Sequence, residues 1–334
     1  MIGVSRESII KALSTRNLII IITVAFGILP VLLGFNRYYV YLATQVVIFT
    51  SMVLAWNIIG GYAGQLDLAA AAYMGLGGAI TGLLLCYYHL TPWIGMIVGA
   101  LAAVGLAVAI GYPTFRYGLR EVWYALSTIS LVLILQRIYW LIYGTTEEYI
   151  SEYIPYRWSV LYLRFDRYEP YYYLGVAILL VTLWVNITIR RSKLGYYLRA
   201  ISEDEDAAEA LGIDVRRYKL YALMIYAAIV GLVGGLYITT TGIITYRLFD
   251  PDYSLSVAVA GIIGGLGSIP GALIAGVILK TVEEYLRATF GAVILGLHLM
   301  IYGILLVAVS VSKPEGLAAI FTYIEKKLLK KGSG

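Results

Sequence analysis

Charged residues are scarce in this sequence. Asp, Glu, Lys and Arg make up 13% of its 334 residues, whereas 60% are hydrophobic. In a soluble domain of this length, about a quarter of all residues are charged, and most of these lie on the surface. The apolar residues also form blocks long enough to cross a bilayer as a helix, which takes about 20 residues. The composition therefore excludes a soluble globular protein and predicts an integral membrane protein.

Cysteine and histidine are almost absent. The chain has one cysteine, Cys86, and two histidines, His89 and His298. One cysteine excludes a disulfide framework and a thiolate metal site, and the histidines are too far apart in sequence to indicate a metal site. No Ser/His/Asp or Cys/His arrangement has the spacing of a catalytic centre. We therefore expect no enzyme, no metal and no cofactor.

A nucleotide-binding loop is also absent. The sequence contains no G-x-x-x-x-G-K-[ST] motif, in which backbone N–H groups and a lysine hold phosphates. An ATPase activity would therefore have to come from a partner chain. The net charge of +5 does not indicate nucleic acid, because the basic residues lie at the ends of apolar segments and in one loop. Such a distribution sets membrane topology.

Nine apolar blocks predict the membrane segments. They lie at roughly 18–34, 38–60, 66–88, 92–111, 120–143, 171–189, 219–241, 254–281 and 291–312. These blocks predict an all-α fold, a polytopic integral membrane helical bundle of about 8–10 segments with glycine-rich broken helices. We expect one transmembrane domain over residues 1–334.

The stretch Arg190–Lys219 separates two apolar blocks and holds seven Lys and Arg residues. Loops rich in Lys and Arg stay on the cytoplasmic side of a membrane. We therefore expect 190–218 to be a cytoplasmic loop. The same rule places the N-terminus and the lysine-containing tail 313–334 in the cytoplasm, so that the chain is a multi-pass protein of the cell membrane.

Within this loop, residues 202–212 are predicted to form one short, capped helix. Ser202 is a favourable N-cap residue, and Glu205 three residues later completes a capping box. Gly212 suits the left-handed conformation that ends a helix. Ala207 and Ala208 belong to a compact apolar face, which suits insertion into a groove of another protein. A solvated connecting helix is the alternative.

Two glycine-rich interruptions break the apolar pattern. Residues 264–271 contain four glycines and one proline, which predicts that the block 254–281 is a re-entrant pair of half-helices or two short spans. Residues 58–61 repeat the letters of residues 262–265, Ile-Ile-Gly-Gly. Paired interruptions in two halves of a membrane protein indicate a central substrate path. Close packing of helices through small residues is the alternative.

Asp67 is an acidic residue next to the first interruption. A carboxylate at membrane depth indicates a functional site, here for an ammonium group or a sugar hydroxyl. Alternatively, Asp67 caps a helix that begins near Leu68 and lies in water at the cytoplasmic boundary. Gln65 and Ser268 are uncharged candidates for lining the same path.

Three blocks of the sequence carry a family resemblance. The first is Asp206-Ala207-Ala208-x-x-x-Gly212, the second is Gly61-Tyr62-Ala63-Gly64-Gln65-Leu66, and the third is Gly264-Gly265-Leu266-Gly267-Ser268-x-x-Gly271. All three resemble blocks of the branched-chain amino acid permeases of ABC transporters. They also occur in the family's order along the chain: the block at 61–66, then the block at 206–212, then the block at 264–271. The first is similar to the E-A-A-x-x-x-G signature of the coupling loop, with Asp in place of Glu. The resemblance covers about residues 38–312.

This resemblance implies a permease subunit of an ATP-driven importer. Its implied partners are a second permease subunit, two cytoplasmic ATP-binding subunits and an extracellular substrate-binding protein, all assembled at the lipid bilayer without nucleic acid. The residues expected to couple to the ATPase are Ser202, Glu205, Asp206, Ala207, Ala208 and Gly212. The residues expected to line the path are Gly61, Gln65, Asp67, Gly264, Gly265, Gly267 and Ser268.

Two alternatives stay open. The family block usually continues Ser-Leu-Gly-His, where this chain has Asp67-Leu68-Ala69-Ala70. That departure resembles the related sugar permeases, so a sugar or nucleoside permease is one alternative. The other is an ion-coupled secondary transporter in which Asp67 binds a proton or Na⁺.

Overall fold

The computed structural model describes residues 22–290, except 120, 145 and 154–158, together with residues 300, 303 and 304. The described chain is a bundle of α-helices. They are α1 (Ile22–Leu32), α2 (Arg37–Trp56), α3 (Ala70–Tyr88), α4 (Pro92–Arg116), α5 (Glu121–Tyr143), α6 (Ile150–Tyr153), α7 (Glu169–Arg191), α8 (Lys193–Glu203), α9 (Glu205–Ala210), α10 (Val215–Thr241), α11 (Pro251–Gly264) and α12 (Ile269–Phe290). A π-helical turn, Asn57–Tyr62, extends α2.

Six helices of the described chain are long and apolar enough to cross a membrane: α2 with its π-helical turn, α3, α4, α5, α7 and α10. The predicted all-α, multi-pass fold is therefore confirmed. Three predicted boundaries among these spans are wrong by four or five residues: the block 66–88 becomes helical only at Ala70, the block 92–111 continues as a helix to Arg116, and the block 219–241 begins at Val215. The first block, 18–34, is described only from residue 22, where α1 begins, and the block 291–312 lies outside the described residues except at 300, 303 and 304.

Glycines bring α10 into close contact with α3. A Cβ atom placed on Gly77 of α3 would lie 2.1 Å from the carbonyl oxygen of Gly231, and one on Gly234 would lie 2.0 Å from that of Met74. Any larger residue at these positions would separate the two backbones. Small residues at membrane helix interfaces allow this approach, so these glycines have a packing role.

The bundle has two distinct ends. The C-terminus of α7, helices α8 and α9 and the N-terminus of α10 form what we call the basic end. At the opposite end, a short strand β1 (Glu148–Tyr149) pairs antiparallel with β2 (Ile243–Ile244). This pairing joins the segment after α5 to the segment after α10. A 3₁₀ turn, Tyr246–Phe249, then leads into α11.

The predicted break in the block 254–281 is confirmed, since α11 ends at Gly264 and α12 begins at Ile269. Gly265 and Gly267 have φ angles of +96° and +74°, which favour glycine. With 14 residues, α11 is about 21 Å long and shorter than the bilayer core of about 30 Å. Helix α11 runs from the opposite end of the bundle toward the basic end. The chain turns there, and α12 runs back toward the opposite end.

The end of this block was predicted wrongly. The apolar pattern stops near residue 281, but α12 continues as a helix to Phe290. Ion pairs along one side of α12 explain the extension: Lys280 Nζ lies 3.0 Å from Glu283 Oε1 and 3.1 Å from Glu284 Oε1, and Arg287 pairs with Glu284. Pairs three and four residues apart stabilise a helix and partly neutralise its charges.

Candidate coupling and translocation site

The two glycine-rich interruptions meet in the folded chain. The backbone N–H of Gly267 donates a hydrogen bond to Asn57 Oδ1 over 3.0 Å. A Cβ atom on Gly61 would lie 2.2 Å from Asn57 Oδ1 and 2.6 Å from Gly267 N. Two of the residues predicted for the path, Gly61 and Gly267, are therefore in contact, and only glycine fits between them.

Asn57 was missed by the sequence analysis, although it lies directly before the first interruption. Its side chain is fully buried, and its Nδ2 lies 3.4 Å from Asn186 Oδ1 on α7. Asn186 in turn donates to the carbonyl oxygens of Leu54, at 2.9 Å, and Thr182, at 3.0 Å. Buried polar groups need such partners. The network ties α2, α7 and the turn between α11 and α12 together.

Trp56 is a second residue that sequence reasoning missed. Its indole ring fills the space beside two glycines, because a Cβ atom on Gly60 or on Gly261 would lie 2.3 Å from a ring carbon. Its Nε1–H donates to the carbonyl oxygen of Asp67 over 2.8 Å. The ring therefore packs against the first interruption and against α11 just before the second, and it bonds to the connector between the first interruption and α3.

Asp67 lies in the irregular connector 63–69 and is fully buried. Its Oδ1 accepts the backbone N–H of Ala69 at 2.8 Å, and its Oδ2 accepts the hydroxyl of Tyr124 at 2.8 Å. The predicted helix cap is wrong, because α3 begins at Ala70 with Ala69 as its N-cap and no side-chain cap bond; the contact with Ala69 instead closes a local turn in the connector. The predicted position in water is wrong, since α5 and the connector cover the carboxylate.

Gly264, Gly265 and Ser268 build the turn between α11 and α12. A Cβ atom on Gly271 would lie 1.8 Å from the carbonyl oxygen of Gly264, so the two helices touch through their backbones. Ser268 Oγ accepts the backbone N–H of Gly271 at 3.2 Å, which caps the start of α12. The structure thus gives these three residues a role in closing the turn.

The predicted single helix over 202–212 is wrong. Ser202 lies inside α8, which is capped by Ser192, and a new helix, α9, begins after Asp204. Asp204 Oδ1 accepts the backbone N–H groups of Asp206 and Ala207, both at 2.9 Å. This Asp competes successfully for the N-cap because its backbone is extended, with φ −157° and ψ 110°. The connection between α8 and α9 therefore bends at Asp204.

The remaining residues of this segment divide into a buried and an exposed group. Ala208 is buried against Ile201 and Val215. Asp206, Ala207 and Gly212 are exposed, and Gly212 has the expected left-handed conformation with φ +84°. Leu211 beside it is 82% exposed.

Glu205 does not close a capping box; it points into the protein. Its Oε1 accepts a hydrogen bond from Gln65 Nε2 at 3.2 Å and forms an ion pair with Lys219 Nζ on α10. Lys219 is 2% exposed, and its ammonium lies 5.7 Å from the centre of the Phe115 ring. One carboxylate thus joins α9, α10 and the connector 63–69.

The connector touches α8 as well. A Cβ atom on Gly64 would lie 3.0 Å from the Cβ of Ser202. Gln65 and Ser202, predicted separately for the path and for coupling, are therefore parts of one contact region at the basic end. No group of three or more His, Cys, Asp and Glu side chains in the described part of the chain could hold a metal ion.

The family model for the permease component of branched-chain amino acid transport systems matches residues 38–310. The chain belongs to this permease family. The matched range contains both interruptions, the connector and helices α8 and α9. The permease is also a multi-pass membrane protein by the length and apolar character of its six candidate spans.

The individual relatives have low sequence identity to this chain, and two of the following three match most of its length. The high-affinity branched-chain amino acid permease protein LivM of Escherichia coli K12 is 27% identical over 310 residues, which covers 84% of this permease and 70% of LivM. The probable permease protein LivH of Methanocaldococcus jannaschii is 24% identical over 79% of this chain and 86% of its own length. BraD of Pseudomonas aeruginosa is 30% identical over 36% of this chain and 40% of BraD. No solved structure matches the chain.

Proposed function

We propose that this permease is the membrane subunit of an ATP-driven importer for branched-chain or other hydrophobic amino acids. It acts with a second permease subunit, two ATP-binding subunits and an external substrate-binding protein. The relatives named as branched-chain amino acid transport permeases support the substrate class. Hydrolysis of ATP is assigned to the partner subunits, because this chain has no phosphate-binding loop.

The observation that carries the proposal is the position of Glu205. It lies on the short exposed helix α9 and contacts both α10, through Lys219, and the connector, through Gln65. A displacement of α9 by an ATPase subunit is therefore transmitted at once to a spanning helix and to the chain between the first interruption and α3. The coupling function is assigned to Ser202, Glu205, Asp206, Ala207, Ala208 and Gly212.

The orientation follows from charge. The basic end carries Arg190, Arg191 and Arg199 together with the exposed helix α9, and such loops stay in the cytoplasm. We place this end, both termini and the tail 313–334 on the cytoplasmic side. Leu211 and Ala207 then face the ATPase subunits and supply the apolar contact of a short helix in a groove.

The substrate path is assigned to the junction of the two interruptions. Gly61 and Gly267 touch there, so a small shift of either segment opens or closes the contact. Ion coupling through Asp67 is disfavoured, because its carboxylate already accepts bonds from Tyr124 and Ala69. The departure at Asp67-Leu68-Ala69-Ala70 is the feature that favours a sugar or nucleoside substrate, and the names of the matched relatives weigh against it.

Co-purification tests the proposed coupling. The permease is expressed with the two candidate ATP-binding subunits and isolated in detergent. We expect the ATP-binding subunits to co-purify with the wild type and to be lost with Leu211→Asp, which places a charge on the apolar contact. Tyr117→Asp is the matched control, since Tyr117 is 80% exposed in the loop after α4 at the same end. Equal recovery with both variants, or no ATP-binding subunit with the wild type, would overturn the proposal.

A further inference from the structure

A cavity of about 580 Å³ lies at the opposite end of the bundle, between α2, α10, α11 and α12. Its volume is within the range of about 300–1,000 Å³ that is usual for small-molecule sites. The same α2, α11 and α12 meet at the interruptions near the basic end. The cavity therefore opens at one end of the helices whose other ends form the proposed path.

The wall of the cavity carries charges of both signs on α12. Lys280, Glu283, Glu284 and Arg287 all line it. Lys280 and Glu284 are buried. Ionisable residues inside a membrane protein are costly and mark solute or ion pathways. Their mutual ion pairs do not explain their presence by stability alone, since apolar residues in such places are often as stable.

Within the described part of the chain, three polar groups of the wall make no hydrogen bond: Gln45 Nε2, Thr245 Oγ1 and the Tyr253 hydroxyl. Gln45 of α2 is 4% exposed and lines the cavity, yet its Nε2 makes no hydrogen bond. The hydroxyl of Tyr253 on α11, which also lines the cavity, is unsatisfied as well. Buried donors are normally paired, so these groups are open to a polar ligand or to water in the cavity.

These donors lie on the same cavity as the ammonium of Lys280. Lys280 Nζ is 5.4 Å from the centre of the Tyr253 ring and 5.6 Å from that of Phe49. The cavity therefore offers hydrogen-bond donors for an anion, the carboxylates of Glu283 and Glu284 for a cation, and the rings of Tyr41, Tyr237 and Tyr253 for an apolar group. An α-amino acid with a hydrophobic side chain has these three parts.

We propose that this cavity is a binding site for the zwitterionic head group of a hydrophobic α-amino acid, which rests on the proposed transport function for its substrate class. The carboxylate of the ligand binds Gln45, Tyr253 and Lys280. Its ammonium group binds Glu283 and Glu284. The site receives the amino acid before it reaches the junction of the two interruptions.

Cysteine protection tests this site in the complete transporter reconstituted in proteoliposomes. Ser256→Cys places a thiol on the cavity wall. The natural Cys86 is buried, and the wild-type transporter gives the background labelling to be subtracted. A membrane-impermeant maleimide reports the rate of modification. We expect L-leucine to slow this rate several-fold. Thr241→Cys, also on the wall but with its hydroxyl already bonded to the carbonyl oxygen of Tyr237, is a second reporter if the first variant does not assemble.

The ligand's head group and Gln45 are tested in the same assay. Leucinol, which lacks the carboxylate, and 4-methylpentanoate, which lacks the ammonium group, should protect much less than L-leucine. Gln45→Leu removes a donor that makes no bond within the protein, so it should leave the unprotected labelling rate unchanged and abolish protection. Gln136→Leu, the same replacement on α5 outside the cavity wall, should retain protection.

Each contrary result overturns the inference. These results are the absence of protection up to the solubility limit of leucine, equal protection by the two analogues, and protection that survives Gln45→Leu. The labelling needs no ATP hydrolysis. Lost protection in a complex that still imports amino acids with ATP would therefore refute the cavity site and leave the proposed function standing.

Discussion

Replacing Glu205 by glutamine tests whether its carboxylate joins three parts of the permease. The change keeps the size of the side chain and a carbonyl oxygen that can still accept the bond from Gln65. It removes the negative charge opposite Lys219, whose side chain is 3% exposed against 16% for that of Glu205. Removing one partner of a buried pair costs about 3–5 kcal/mol, because the interaction of the remaining charge with that partner is lost.

Replacing either residue of the ion pair should lower the free energy of unfolding, but by unequal amounts. Lys219→Met leaves the more exposed carboxylate, which water can reach, so we expect a smaller loss than for Glu205→Gln. The double variant Glu205→Gln/Lys219→Met leaves no charge and should recover most of the stability. A coupling energy of about 1.5–3 kcal/mol is expected from this double-mutant cycle, near the upper limit for contacting residues.

The assay is reversible unfolding of the purified permease in mixed detergent micelles, followed by circular dichroism. Uptake by the reconstituted importer is measured in parallel. Asp214→Asn is the control, since its ion pair with Arg217 lies on the exposed surface at the same end and such pairs contribute about 0–1 kcal/mol. A Glu205→Gln variant no less stable than this control would refute the assignment of Glu205 as the buried counter-charge.

Two further variants test the junction and the connector. Gly61→Ala should cost about 1–3 kcal/mol or more through overpacking, because its Cβ would lie 2.2 Å from Asn57 Oδ1. The control Gly105→Ala has no described residue within 4 Å of its Cβ and should be neutral or stabilising by up to about 1 kcal/mol. Equal unfolding free energies for the two variants would contradict the tight junction. Asp67→Asn keeps an acceptor for Ala69 and should retain ATP-driven uptake, whereas Asp67→Leu should lose stability together with uptake. Loss of uptake in a stable Asp67→Asn variant, restored by no ATP concentration, would instead favour ion coupling.

Much of the architecture was predictable, because membrane helices need long apolar runs and cytoplasmic loops are rich in lysine and arginine. The break at 264–271 was predictable for a local reason, since glycine and proline at this density end a helix. The end of α12 was not, because the ion pairs of Lys280, Glu284 and Arg287 turn a charged stretch into a continuous helix. That stretch lines the cavity between α2, α10, α11 and α12, which was not predicted.

The predicted site residues were largely brought together, but their contacts could not be read from the sequence. Capping patterns compete locally, and Asp204 took the position expected for Ser202. Trp56 and Asn57 were missed because a large aromatic and an amide in an apolar run are common in membrane helices. Only the folded chain places Trp56 against Gly261 and Asn57 against Gly267.

The most direct measurement is the number of amino acids imported per ATP hydrolysed by importers that carry Gln65→Leu. Gln65 is buried, and its Nε2 bonds to Glu205 over 3.2 Å. The variant breaks this link while the ion pair between Glu205 and Lys219 stays in place. We predict that ATP hydrolysis continues and that import per ATP falls several-fold, with Gln136→Leu unchanged. An unaltered ratio in Gln65→Leu would contradict transmission from α9 to the connector.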